Sequence, residues 1–200
     1  MYRNRTHSVD HRIVNIYQPY VRSIVRGLDN AQVEFGAKLG VSQMEGYARI
    51  NTLSWDAYNE NTELIKQVEA YKNLKGYCPE VVIVDHIYGT RENRNYLKER
   101  GIRFFGKPLG RPRKEPMTAY QKMKQKIERG IRNQNEGKFG QGKNAYKLSM
   151  VRARSTKTSA SWISCIFFVM NLICFDQDYL GAFFSKLKND YGAHSFQPAL

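Results

Sequence analysis

The sequence predicts an α/β fold, a mixed sheet with flanking helices, and three observations carry that prediction. A continuous β-branched run, Val81 to Val84, is followed by a short helix-prone segment and a second apolar run, Ile102 to Phe105. Upstream, apolar residues alternate at period two through Val33, Phe35, Ala37, Leu39 and Val41, and again through Tyr47, Ala48, Ile50 and Leu53. Helical periodicity at Leu64, Ile65, Val68, Tyr71 and Leu74, and a long apolar stretch near the end, supply helices to cover the sheet.

Taken in order, residues 1–29 are polar and basic, with one alternating patch at Ile13, Val14 and Ile16 that suits a short strand before Pro19. The alternating segments 32–41 and 46–53 form an antiparallel hairpin whose turn is Ser42 to Gly46. Asn59-Glu60-Asn61-Thr62 offers cap chemistry to the helix that follows, and Gly76 and Pro79 stop it. The run Val81 to Val84 reads as a strand buried on both faces, ending on Asp85. A helix from Arg91 through Tyr96 and Leu97 to Arg100 ends at Gly101, so the strands either side of it pair in parallel. Gly106 to Pro116 is rich in Gly, Pro and cations and reads as a flexible excursion. Ala119 to Arg129 is helix-prone but charged, and order resumes near Arg132. The last apolar helix spans about Ser159 to Phe175, capped by Thr158 or Ser159, and the tail 176–200 is expected to be partly disordered or peripherally packed.

The formal net charge is +14, and Lys98 to Lys157 holds all of it: 18 Lys and Arg against 4 Asp and Glu, with 14 against 14 elsewhere. A concentrated excess makes a field suited to a polyanion, so nucleic acid is the expected partner. Cys78, Cys165 and Cys174 have no metal-ligand spacing and read as buried free thiols of a reducing compartment. No apolar stretch follows Met1, so no signal peptide is expected. Trp162 to Phe175, about 14 residues interrupted by Ser164 and Asn171, is short of the roughly 20 a bilayer span needs, and reads as a core helix with no membrane role. Trp55 and Trp162 read as core.

Two stretches offer chemistry. Asp85 stands at the carboxyl end of a strand, where open α/β sheets place ligands, though a carboxylate there also caps turns. In Arg132-Asn-Gln-Asn-Glu136-Gly-Lys138-Phe-Gly-Gln-Gly-Lys143, a helix would bring Arg132, Glu136 and Lys143 to one face. Three glycines, each costing about 1 kcal/mol against Ala, leave part of it open to a loop reading. A glycine-rich phosphate cradle is the competing reading, without the Gly-Lys-Ser/Thr ending of a nucleotide-binding loop.

The string from Val84-Asp85-His86-Ile-Tyr-Gly-Thr-Arg through Gly106-Lys-Pro-Leu-Gly-Arg-Pro to Asn135-Glu136-Gly-Lys-Phe-Gly-Gln-Gly-Lys143 resembles the C-terminal half of bacterial insertion-sequence transposases of the DDE class. Val33 to Leu39, Ser54 to Glu60 and Ile166 to Leu172 fit the same family in order, so the similarity covers about Arg12 to Leu172. It implies a ribonuclease-H-like fold in which three carboxylates hold two Mg²⁺ or Mn²⁺ ions. Asp85 would be the second carboxylate and Glu136 the third, and Lys143 would contact DNA phosphate, with Arg132 and Lys138 as further DNA contacts. The chemistry is hydrolysis at the element's ends, then strand transfer. Hard anionic ligands suit two ions roughly 3.5–4 Å apart that stabilise attacking and leaving oxygens. The implied partners are transposon ends and target DNA, a homodimer is allowed, and the setting is cytoplasmic, on the bacterial nucleoid.

This chain departs from the pattern. The family's first Asp lies on a first strand well before the hairpin, and the sequence starts too late to contain it. Asp10 matches no motif. His86 replaces a Lys or Gln, and Asn135 an apolar residue. A truncated copy, inactive alone, is the resulting expectation. It divides into an N-terminal remnant (1–30), a partial catalytic domain (31–105 and 131–175), a basic insertion (106–130) and a tail (176–200), incomplete by its first strand. A non-enzymatic reading rests on Gly110-Arg111-Pro-Arg113-Lys114, similar to an AT-hook core but with Leu109 where a basic residue is usual. A structure-selective nuclease on the same fold is the other alternative. The four histidines have no ligand spacing, and Asp56 and Glu60 read as organising a helix start, although relatives carry an acidic residue at Glu60.

Overall fold

The structure, a computed structural model, describes residues 12–25, 33–106 and 117–191. It is a mixed α/β arrangement of six strands and four helices among those residues. The strands form three two-stranded sheets: β1 (Ser23–Val25) antiparallel to β2 (Val33–Phe35), β3 (Lys38–Met44) antiparallel to β4 (Tyr47–Ser54), and β5 (Val81–Ile83) parallel to β6 (Arg103–Phe105).

The hairpin forms as its alternation predicts, pairing Leu39 with Leu53 and Val41 with Ile50. Its turn is tighter than Ser42 to Gly46. Met44 already pairs with Tyr47, and the two residues between have positive φ, 52° at Glu45 and 87° at Gly46, which is the two-residue turn that matches strand twist. The single strand expected over 32–41 is divided, because the backbone leaves extended pairing at Gly36 and β2 pairs with β1 instead. The patch Ile13, Val14 and Ile16 forms no strand; β1 lies beyond Pro19.

Helix α1 (Glu63–Lys75) ends on Gly76, in the left-handed conformation, as expected. Buried Glu63 ties its first turn to the hairpin by accepting from the Thr52 hydroxyl and from Lys66 Nζ at 2.9 Å, bonds that outweigh burial and hold its pKa below the usual range. Helix α2 (Arg91–Glu99), capped by the Thr90 side chain, connects β5 to β6. Leu64, Val68, Leu97 and Ile102 close a core among these elements. The expectation that β5 is buried on both faces is corrected: all three of its residues are only half-buried, because β6 is its one partner among the described residues.

Helix α3 (Ala119–Asn144) is continuous, with Thr118 and Gln121 forming a reciprocal capping box. Helix α4 (Thr156–Tyr191) is twice as long as the expected 159–175 element. Its cap is Ser155, whose hydroxyl accepts from the Thr158 N–H at 3.1 Å, so neither Thr158 nor Ser159 caps it. Ser159 is buried and donates to the Ala153 carbonyl. The boundaries drawn at 130/131 and 175/176 fall inside α3 and α4.

The core-helix reading of α4 holds for one face only. Ile163, Phe167 and Ala48 form a second core against the hairpin, whereas Trp162, Phe168, Leu172 and Phe175 are exposed. Asn171, which looked like an interruption, docks the helix: its side chain accepts from the Ala48 N–H at 2.9 Å and donates to the Ala48 carbonyl at 2.7 Å. By length and composition alone, Thr156–Lys186 is long and apolar enough to cross a membrane. Trp55 packs at this core and edge-on to Tyr20. The cysteines are free thiols, but none is buried as expected: Cys78 and Cys174 are half-buried and Cys165 is exposed.

Candidate active site

The site lies where the chain leaves β5. Asp85 begins a one-turn 3-10 helix, His86–Tyr88, and caps it: its Oδ1 accepts from the His86 N–H at 2.6 Å and lies 3.0 Å from His86 Nδ1. Capping and availability are not exclusive, since the Asp85 side chain remains 54% exposed. Partial burial pushes its pKa up. The hydrogen bonds from His86, with the charges of His86 and Arg132, outweigh that and hold Asp85 below the usual carboxylate range. It is therefore ionised at neutral pH.

The turn is fixed from behind by Asn93, buried on α2. Its Nδ2 donates to the Tyr88 carbonyl at 2.9 Å and to the Asn61 carbonyl at 2.8 Å, tying the Asp85 turn to the segment before α1. Asn93 was not singled out from the sequence; only its place three residues after the Thr90 cap hinted at an inward-facing position.

Glu136 comes from the middle of α3. Arg132 precedes it by one turn, and its Nη2 lies 3.5 Å from Glu136 Oε1. The same guanidinium reaches across to β5, with Nη1 4.0 Å from Asp85 Oδ1. Two carboxylates fifty-one positions apart thus share one cation, and both are exposed. Lys143, two turns on, lines a cleft of about 830 Å³ together with Glu136, Glu60 and Tyr88. Lys138 is two residues from Glu136, about 200° round the helix, and lines neither this cleft nor its neighbour. Arg111, Arg113 and Lys114, like Asp10, lie outside the described residues.

Glu60 opens a 3-10 turn before α1, as a helix-start residue, and pairs with Lys38 Nζ at 3.2 Å. Tyr88 was quoted in the resembling string without a role. It lines both clefts beside Glu136 and Phe139, and burial, then the nearby Glu60, pushes its hydroxyl pKa well up, so it stays a neutral donor. Within α3, glycine at position 142 has a packing reason, since a Cβ there would come within 3.2 Å of Leu148 and 3.5 Å of Met170.

The carboxylates are hard oxygen donors, and they already face a cation, which is the donor chemistry a divalent ion requires. Among the described residues no group of three His, Cys, Asp or Glu side chains could hold an ion.

A parallel strand that ends in a carboxylate, with a second carboxylate brought to it from a helix, defines this as an α/β protein with an acidic site at a strand tip. Residues 82–173 match the family model of the transposase DDE domain, which supports a transposase of the DDE class. No curated protein and no solved structure matches the chain.

Proposed function

We propose that the chain carries the second and third carboxylates of a ribonuclease-H-like transposase catalytic domain of bacterial insertion-sequence type. Asp85 and Glu136 would hold divalent metal, Mg²⁺ or Mn²⁺, and Arg132, Lys138 and Lys143 would meet DNA phosphates. The observation that supports this reading is the Arg132 guanidinium, within 4.0 Å of both carboxylates. A side-chain cation marks where negative charge converges, and a hard dication suits the same place.

When bound, the metal would stabilise charge on the attacking and leaving oxygens of an in-line phosphodiester displacement. The chain's own contribution is positional. The His86 and Asn93 hydrogen bonds hold Asp85 ionised at a fixed turn, and α3 holds Glu136 and Lys143 on one stripe at rigid spacing. Arg132 is freed to pair with phosphate once another cation takes the carboxylates. Asp85 and Glu136 would be two of the three carboxylates the chemistry uses, and cutting or joining would need the third as well.

Calorimetric titration with Mn²⁺ tests the assignment. The wild-type chain should bind with a dissociation constant that Asp85→Asn or Glu136→Gln each weakens at least tenfold, while Arg132→Gln removes the competing cation and tightens it. Wild-type affinity in both carboxylate variants would overturn the assignment.

A further inference from the structure

We infer that the outer face of α4 is a self-association surface, on which a second copy of this chain docks antiparallel about a two-fold axis between Ile173 and Cys174. Spacing along the helix carries the inference. Cys165, Phe168, Leu172, Phe175, Tyr179 and Ala182 succeed one another at intervals of three and four residues, and all six are exposed. At about 100° per residue they form one stripe, nearly opposite the buried stripe of Ile163, Ile166, Phe167 and Met170. The next positions of the repeat, Ser161 before it and Lys186 after it, are polar and exposed, so the stripe has defined ends. Phe175 and Tyr179 stack within it, ring centroids 6.3 Å apart and planes 20° from parallel. Alternation of three and four is the repeat by which the ridges of one helix enter the grooves of another at a shallow angle. Nothing among the described residues supplies a second helix to this face.

Area, length and charge select the occupant. Phe168, Leu172, Phe175, Tyr179 and the neighbouring Phe183 are 48–67% exposed. At roughly 200 Å² per ring they present on the order of 550 Å² of apolar surface. Two copies face to face bury on the order of 1,100 Å², enough for a specific interface of micromolar strength. A second copy also matches in length: the axis between residues 173 and 174 is the midpoint of Thr156–Tyr191, so the two helices overlap from end to end. Across that axis Phe168 meets Tyr179, Leu172 meets Phe175 and Cys165 meets Ala182 of the other copy, each pair twice over. The antiparallel sense follows from charge. Arg152, Arg154 and Lys157, exposed at the start of α4, would crowd their own copies in a parallel pair, whereas reversal sets them at the negative end of the other helix. A bilayer fits less well although α4 is long enough. The polar hairpin stays attached to the inner face through Asn171 and through Asp178, which accepts from the Tyr47 hydroxyl at 2.8 Å. Both cores are complete within one chain, so pairing adds a contact and leaves the fold as it is.

Sedimentation equilibrium on the 200-residue chain tests the surface. The wild type should be a dimer at about 100 µM and a monomer well below 1 µM, as an area of this size gives. The double variant Phe168→Glu, Phe175→Glu should be monomeric at both, with unchanged circular dichroism, a loss of at least a hundredfold in association. Ala182→Cys tests the orientation on a seam that is otherwise native. Under mild oxidation it should form an intermolecular disulfide between Cys165 and the introduced thiol, mapped by mass spectrometry, because those positions face each other at bonding distance. A monomeric wild type, or a dimer that survives both glutamates, would overturn the inference. So would a disulfide joining Cys165 to Cys165 in the wild type, which marks a parallel pair. Binding of the wild-type chain to phosphatidylcholine vesicles that the glutamates abolish would overturn it too, by assigning the stripe to lipid.

Discussion

The two hydrophobic cores are built differently. Leu64, Val68, Leu97 and Ile102 come from neighbouring elements in the sequence, and α1, α2, β5 and β6 cover one another, leaving Leu97 with no exposure. Ala48, Ile163 and Phe167 join a hairpin to a helix more than a hundred residues later, and one residue beyond Phe167, Phe168 is 67% exposed. Length explains the difference. The 8 residues of β4 span about 26 Å, whereas the 36 residues of α4 span about 54 Å. The hairpin covers half of that helix at most, so apolar composition along α4 does not translate into burial. The first core is closed by its own neighbourhood, and the second depends on a few specific attachments.

Cutting into the closed core should cost most. Leu97→Ala removes a fully buried side chain packed between α1 and β6, and should lower stability by about 2–5 kcal/mol. Urea unfolding followed by tryptophan fluorescence and by circular dichroism would measure it. Trp55 and Trp162 report on the hairpin and α4. If the two cores are one cooperative unit, the probes shift together. If they are separable, circular dichroism shifts first and the comparison sharpens.

A smaller effect is expected where α4 is attached. Asn171→Ala strips both bonds from the Ala48 backbone, leaving an N–H and a carbonyl unpaired, at a cost of about 1–3 kcal/mol. Asn171→Leu should be no better, although it would extend the apolar run. A stabilised Leu variant, by thermal denaturation, would show that burial and not the clamp holds α4, erasing the contrast between the cores.

The closed core was legible because its signals are local: Thr90 caps α2, Gly101 ends it, and the two apolar runs lie one short helix apart. Asp85 was legible as a carboxylate at a strand end. The pairing of Arg132 with Glu136 follows from their i, i+4 spacing, but its reach to Asp85 needs the packing of α3 over β5. Three glycines argued for a break in the second half of α3. The helix nonetheless runs through all three, and the reason for glycine at 142, the close approach of Leu148 and Met170, comes from residues beyond the helix. Asn171 misled for the same reason, since its partner lies 123 positions away. Asn93 offered only its place three residues after the Thr90 cap, and Tyr88 offered nothing, because neither the bridging of two loops nor the lining of a cleft leaves a periodicity.

The smallest effect is the one that isolates length as the cause. Phe168→Ser alters the bare face of α4, next to Phe167 but about 100° round the helix. With nothing among the described residues packed over most of it, the change should leave stability within about 0.5 kcal/mol, while Phe167→Ala, on the covered face, should cost about 3–5 kcal/mol. Chemical denaturation of both variants side by side gives the ratio. A loss at Phe168 close to that at Phe167 would mean that the face is covered in solution, and the lesson drawn from the lengths of β4 and α4 would fail. A near-zero loss at Phe168 together with reduced self-association by light scattering would assign that face to contacts between molecules, since an exposed apolar patch of this kind drives association rather than folding.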